Sequence, residues 1–240
     1  MLAACVIPAY QAAATLAGVI AHVREVAPAL LLVVVDDGST DGTVTAAAGA
    51  DVLVRLDANR GKGAALRAGF AAATARGCEA VVTIDADGQH DADCIPQFLR
   101  ALGDADLVLG ARARGGTAMP LVRRIANGFS TRLIGWCAGR AIRDAQCGFR
   151  AIRLSLLQAI PHHGDRYEAE TAFVIRAARA GARIAEVAIP TLYGPPSHFR
   201  PFPDAARIVA TIWALRPSRS SACVSSAPTT TASSPTASTA

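Results

Sequence analysis

Asp85 and Asp87 stand two residues apart in Asp85-Ala86-Asp87-Gly88-Gln89-His90, directly after the apolar run Val81-Val82-Thr83-Ile84. On an extended backbone alternate side chains share one side, so both carboxylates are expected to face the same way. Like charges held that close repel unless a cation lies between or beside them. A hard divalent ion, Mg2+ or Mn2+, suits carboxylate, amide and phosphate oxygens, and Gln89 offers one more oxygen. His90 is a candidate ligand for Mn2+, with a hydrogen-bonding role preferred. Asp and Gly are also turn residues, so the segment can be read as a solvated turn. Its place after a buried strand favours the metal.

Three further clusters could take part. Asp36-Asp37-Gly38-Ser39-Thr40-Asp41-Gly42 follows another apolar run and lacks the later Glu of a calcium loop. Its carboxylates suit a second cation or the hydroxyls of a ribose or the edge of a base, while Ser39, Thr40 and Asp41 suit helix N-capping. Asn59-Arg60-Gly61-Lys62-Gly63 fits neither the Walker pattern nor G-x-G-x-x-G. Glycines opening a helix expose N–H groups and Lys62 adds charge, so a donor phosphate contact and plain tight packing both remain open. Arg112, Arg114, Arg123 and Arg124 surround Gly115-Gly116, which suggests an anion-binding loop in which guanidinium groups clamp phosphate.

These residues need a frame. Apolar runs at Leu2–Ile7, Leu30–Val35, Val52–Leu56, Ala80–Ile84 and Asp106–Leu109 read as strands. Between them lie helical stretches at Thr15–Val26, Thr43–Ala48, Lys62–Ala75 and Asp93–Leu102. The alternation predicts βαβ units, an α/β fold with a mostly parallel central sheet flanked by helices. Ligands in such folds sit beyond the carboxyl ends of the strands, so the clusters at 8–11, 36–41, 57–62 and 85–91 are expected to converge on one crevice. Later come a helix from Pro120 to Ala138, a segment Asp144–Ile152, a helix Tyr167–Ala180 and a strand Arg183–Ile189. In the amphipathic helix Asp204–Leu215, the residues Ile208, Val209, Ile212, Trp213 and Leu215 form an apolar set, with Arg207 and Arg216 flanking. Interfacial docking suits that set, but packing on the core is preferred. Residues 1–216 are expected to form the catalytic domain, and the Ser-, Thr-, Ala- and Pro-rich stretch 217–240 a disordered tail.

The chain has 240 residues, 52% hydrophobic and 18% charged, which favours a globular fold. A net charge of +5 is modest: it fits an Arg-rich composition, and equally attraction to phosphates or an anionic bilayer. Six cysteines without a C-x-x-C pair argue against a zinc site or a disulfide framework. The first strand begins too early for a signal peptide, and no apolar stretch reaches the roughly 18 residues of a membrane span. The expected place is the cytoplasm, peripheral at most at the inner face of the cell membrane.

Taken together, the ordered motifs resemble glycosyltransferase family 2, with the GT-A fold, and above all the polyprenyl-phosphate glycosyltransferases of the dolichol-phosphate mannose synthase group. The carriers are Ile7-Pro8-Ala9-Tyr10, Val35 to Thr43, Asn59 to Gly63, Ile84 to His90, Gly110-Ala111-Arg112, Asp144 to Arg150 and Tyr167 to Glu170. The resemblance implies that Pro8, Tyr10 and Asp37 contact the nucleoside with Asp36 close by. It implies that Asp85 serves the ribose-diphosphate side and shares the metal with Asp87 and Gln89. Arg112 and one of Arg123 or Arg124 match arginines that hold an acceptor phosphate, and Asp144 lies in the acceptor-side motif. Asp87, Asp144 and Arg112 are thus the catalytic candidates. One departure is Gln11-Ala12, where the family usually has Asn-Glu.

The implied reaction moves a hexose, with inversion, from a UDP- or GDP-sugar to polyprenyl phosphate at a membrane surface, using Mg2+ or Mn2+ as Lewis acid. The expected partners are that donor and that acceptor, with no nucleic acid. A phosphate monoester is mostly a dianion at neutral pH and needs little base catalysis; a sugar hydroxyl would need a carboxylate base such as Asp144 or Glu168. A sugar nucleotidyltransferase ranks lower because no Gly-rich basic signature follows the first strand. A non-catalytic nucleotide-sugar binding protein ranks lower because both acids are present.

Overall fold

The computed structural model describes residues 1–112, 131–190 and 201–216. Seven strands form one sheet: β1 (Ala3–Ala9), β2 (Leu31–Asp36), β3 (Val52–Arg55), β4 (Ala80–Thr83), β5 (Leu107–Arg112), β6 (Arg150–Arg153) and β7 (Ile184–Ile189). Their spatial order is β3-β2-β1-β4-β6-β5-β7. All pairings are parallel except those of β6, which runs antiparallel to both β4 and β5. The helices are α1 (Leu16–Val26), α2 (Thr43–Ala46), α3 (Lys62–Thr74), α4 (Ile95–Ala101), helical residues 131–138 (α5), α6 (Leu154–Ala159), α7 (Glu168–Arg179) and α8 (Pro201–Ala214).

The central strands are apolar throughout because both faces of the sheet are covered. Cys5, Ile7, Leu32 and Val34 belong to a core shared with Leu16, Ile20 and Val23 of α1 and Ile95 and Phe98 of α4. The alternate residues Ala4, Val6, Val33 and Val35 point the other way, into a core with Leu66 and Phe70 of α3, Phe173 of α7 and Ile208 and Ile212 of α8. Pairing of β1 with β4 stops at Val6, so Pro8 stands where β1 has a neighbour only in β2, opposite Val35, and its missing N–H is tolerated.

Two sequence expectations are corrected. Strand β4 ends at Thr83, so Asp85 precedes and Asp87 lies within a turn; the extended-backbone reason for grouping their carboxylates does not hold. The segment Asp144–Ile152 hides the antiparallel strand β6, followed at once by α6. Its Arg-Ala-Ile-Arg sequence carries no apolar alternation, because the buried Arg150 is stabilised by specific carbonyl partners rather than by apolar contact. The start of the helix expected from Pro120, the arginines Arg114, Arg123 and Arg124, and the tail 217–240 lie outside the described residues. Among the described residues no helix is long and apolar enough to cross a membrane.

Candidate active site

The loops at the carboxyl edge of the sheet are tied to one another by side chains. Gln11 adopts φ 50°, and its side-chain oxygen accepts from the N–H groups of Thr40 (3.0 Å) and Asp41 (3.2 Å). Its own N–H donates to Ser39 Oγ at 2.9 Å. The residue that departs from the family pattern thus joins the loop after β1 to the loop after β2. Thr15 Oγ1 donates to the Ala86 carbonyl at 2.6 Å, joining the start of α1 to the acidic turn.

Asp37 joins the loops after β2 and β3. It is 3% exposed, and its two carboxylate oxygens accept from the N–H groups of Arg60 (2.8 Å) and Gly61 (2.7 Å). Burial pushes its carboxyl up, opposed by those two amides. The glycine-rich segment has therefore already committed these two N–H groups to Asp37 rather than offering them to a phosphate. Its glycines serve close packing: a Cβ on Gly63 would lie 2.6 Å from the Gly164 carbonyl oxygen. Asp36 is fully buried; one oxygen accepts from Ser39 N–H at 3.0 Å and the other faces Arg55 Nε at 3.5 Å. Of the expected nucleoside contacts, Pro8 and Tyr10 remain half-buried at the edge, while Asp36 lies beneath it.

Lys62, at the first position of α3, reaches across to Asp85 Oδ1 at 2.6 Å and to Glu170 Oε2 on α7 at 3.1 Å. His90 Nε2 stands 3.3 Å from Asp85 Oδ2. Burial alone would raise the Asp85 carboxyl, but Lys62 and then His90 hold it well below the usual carboxylate range. Burial works against the Lys62 ammonium, and Asp85 and Glu170 more than offset it. Asp87 accepts from Gln89 N–H at 2.9 Å; burial and then the Asp85 charge push its carboxyl up. Among the described residues Asp87 has no ion pair, and the charges of His90 and Lys62 only partly offset the push, which is the condition a divalent ion relieves. The donor set, hard carboxylate oxygens in a half-buried turn, fits Mg2+ or Mn2+.

Arg112 at the end of β5 donates to Asp144 through Nε (2.7 Å) and one terminal nitrogen (3.1 Å). Burial disfavours its charge, and the Asp144 bond more than compensates, with Asp85 contributing more weakly. Gly148, four residues after Asp144, packs against the acidic side: an added Cβ would meet Lys62 Nζ at 2.5 Å and Asp85 Oδ2 at 2.6 Å. The neighbouring segment is anchored by Thr83 Oγ1, which donates to the Gly148 carbonyl at 2.7 Å. Arg123 and Arg124 lie outside the described residues.

Sequence reasoning named Glu170 only as part of a motif and gave Arg150 no role. Glu170 reaches Lys62 because α7 packs on α3, and Arg150 of β6 reaches Glu170 in turn, which no local spacing reveals. A separate group, His22, Asp91 and Asp93, also clusters within metal-ligand distance, but it is only half-buried, with Asp93 exposed, and needs no ion to explain it.

A mostly parallel α/β sheet with an acidic turn beyond its fourth strand, a charge-compensated carboxylate beside it and an arginine–aspartate clamp nearby defines a glycosyltransferase of the GT-A type. Residues 4–160 match Glycosyl transferase family 2, and the chain belongs to that family. It is 32% identical over 196 residues to an undecaprenyl-phosphate mannosyltransferase of Micrococcus luteus, covering 77% of this chain and 81% of that one. It is 31% identical to a dolichyl-phosphate hexose transferase of Haloferax volcanii, covering 78% and 81%. Among solved structures, glucosyl-3-phosphoglycerate synthase of Mycobacterium tuberculosis, in complex with Mg2+ and UDP, superposes with a TM-score of 0.71 at 25% identity, covering 91% of this chain and 81% of that one.

Proposed function

We propose that this glycosyltransferase moves a hexose, with inversion, from a UDP- or GDP-linked donor to a polyprenyl phosphate at a membrane surface. The observation that carries this reading is that one short segment serves both halves: its Asp144 is clamped by Arg112, and its Gly148 packs against the Lys62–Asp85 pair of the acidic turn. The similarity to transferases named for undecaprenyl and dolichyl phosphate supports the acceptor class. Asp85, Asp87 and Gln89 are the residues that would hold Mg2+ or Mn2+, which when bound neutralises charge on the departing nucleoside diphosphate. Pro8 and Tyr10 border the nucleoside, Asp37 holds the loop that faces it, and Lys62 keeps Asp85 ionised.

A phosphate monoester has a second pKa of about 6 and reaches neutral pH as its own nucleophile. Positioning by Arg112, with Arg123 or Arg124, then suffices. Asp144 is engaged by Arg112 through both oxygens, which suits a clamp and not a free general base. The lipid is reached from the surface: Trp136 on α5 and Val209 and Trp213 on α8 are exposed, and arginines Arg132, Arg207 and Arg216 stand exposed among them.

The test is transfer of radiolabelled hexose from UDP- and GDP-sugars to an organic-extractable product. Asp87→Ala is expected to lower transfer by at least about a hundredfold, with the wild type silenced by EDTA. Unchanged, EDTA-resistant transfer by Asp87→Ala would refute the metal assignment, and label found only in water-soluble product would refute the lipid acceptor.

A further inference from the structure

We infer that Glu170, which lies on α7 away from the acidic turn, is a positioning residue for Asp85, acting through Lys62. The inference rests on the donor reading above. Lys62 sits between two carboxylates, 2.6 Å from Asp85 Oδ1 and 3.1 Å from Glu170 Oε2, with its ammonium 5.9 Å from the centre of the Tyr167 ring. A lysine has four rotatable side-chain bonds and holds one place only when it is pinned from more than one side. Asp85 alone would let the pair swing together, whereas Glu170 fixes the far side of the ammonium.

Glu170 is itself buried and tied down at its backbone. It is 4% exposed, and its backbone carbonyl accepts from the buried Arg150 at 3.0 Å. The same guanidinium donates to the Cys147 carbonyl at 2.8 Å and the Ala145 carbonyl at 2.9 Å, and it stands 3.8 Å from Glu170 Oε1. Arg150 thereby ties α7 to the segment that carries Asp144 and Gly148. Lys62 Nζ and Asp85 occupy the space that a side chain at Gly148 would need, so the pair packs directly against the backbone of that segment. With Lys62 on Oδ1 and His90 beside Oδ2 at 3.3 Å, the plane of the Asp85 carboxylate is set before a donor arrives. Orientation by such outer partners governs how well a carboxylate serves a metal–diphosphate ligand.

The experiment is calorimetric titration of UDP and of GDP, each with Mn2+, into the full chain, its Glu170→Gln and Lys62→Met variants and the double variant. Glu170→Gln is expected to weaken nucleotide binding about tenfold or more. In the Lys62→Met background the same change is expected to add less than about twofold, because no ammonium remains for Glu170 to hold. Wild-type affinity in Glu170→Gln, or an undiminished loss on top of Lys62→Met, overturns the inference and leaves the donor reading standing. No binding of either nucleotide by the unaltered chain overturns both. If Glu170→Gln does not fold, Glu170→Asp keeps the charge balance but shortens the reach. Intermediate affinity then supports the inference, and full affinity overturns it.

Discussion

Asp144 and Arg112 come from segments 32 residues apart and meet as a two-pronged pair, Nε to one carboxylate oxygen and a terminal nitrogen to the other. That fork is what a guanidinium offers and an ammonium lacks. Arg112→Lys is therefore expected to raise the KM for polyprenyl phosphate about tenfold while leaving donor affinity within about twofold. Transfer kinetics at varied acceptor and saturating donor check this, and an unchanged acceptor KM would remove Arg112 from the acceptor side. Residue types were legible from the chain: every acid and arginine of the site stands in a motif. Partner choice was not. Asp37 has the composition of a ligand contact, yet it spends both oxygens on the loop at Arg60 and Gly61. Gln11 departs from the family pattern and still binds the neighbouring loop.

At the scale of elements, α8 resolves a choice that its periodicity left open. Ile208 and Ile212 are buried in the core with α5 and α7, as the packing alternative required. Val209 and Trp213 on the same helix are 58% and 64% exposed, and Trp136 on α5 is 57% exposed. The two helices meet where Cys137 contacts the Ile212 carbonyl at 3.6 Å, so each exposed tryptophan adjoins that junction in sequence. Arg216 stacks on Trp213 at 4.6 Å. Indole rings with a cation beside them suit the headgroup level of an anionic bilayer. The double change Trp136→Ala/Trp213→Ala is expected to reduce flotation with phosphatidylglycerol vesicles several-fold. Its melting temperature should shift by only a few degrees, because exposed side chains contribute within about 0.5 kcal/mol each. Equal flotation by both proteins would count against this face.

Over the whole molecule, burial also creates a pH dependence. His162 packs between Phe70 of α3 and Phe173 of α7, with ring centroids at 5.7 and 5.6 Å. Burial, followed by the positive charges of Arg150, Arg67 and Lys62, lowers its pKa from 6.5 to about 3. Between those values the unfolded chain binds a proton that the folded chain refuses. His162 therefore favours the fold fully above pH 6.5, and that contribution fades as pH falls toward 3. His162→Gln is expected to give a shallower decline of melting temperature between about pH 6.5 and pH 4 than the unaltered protein. Parallel declines in the two proteins would assign the acid limb to the carboxylates instead.

Alternating apolar runs and polar clusters by themselves determined the α/β class, the strand-by-strand placement of the acidic loops and the side of the sheet on which they meet. Those features follow from local periodicity, which each segment carries within itself. Only the tertiary structure decided that β6 runs antiparallel through a buried arginine, and that β4 stops at Thr83 before the acidic pair. It also decided that Lys62 answers to Glu170 as well as Asp85. The buried arginine and the lysine each depend on a charge finding its partners across elements far apart in the chain. Burial makes such pairing obligatory, while sequence spacing carries no trace of which partner will be near.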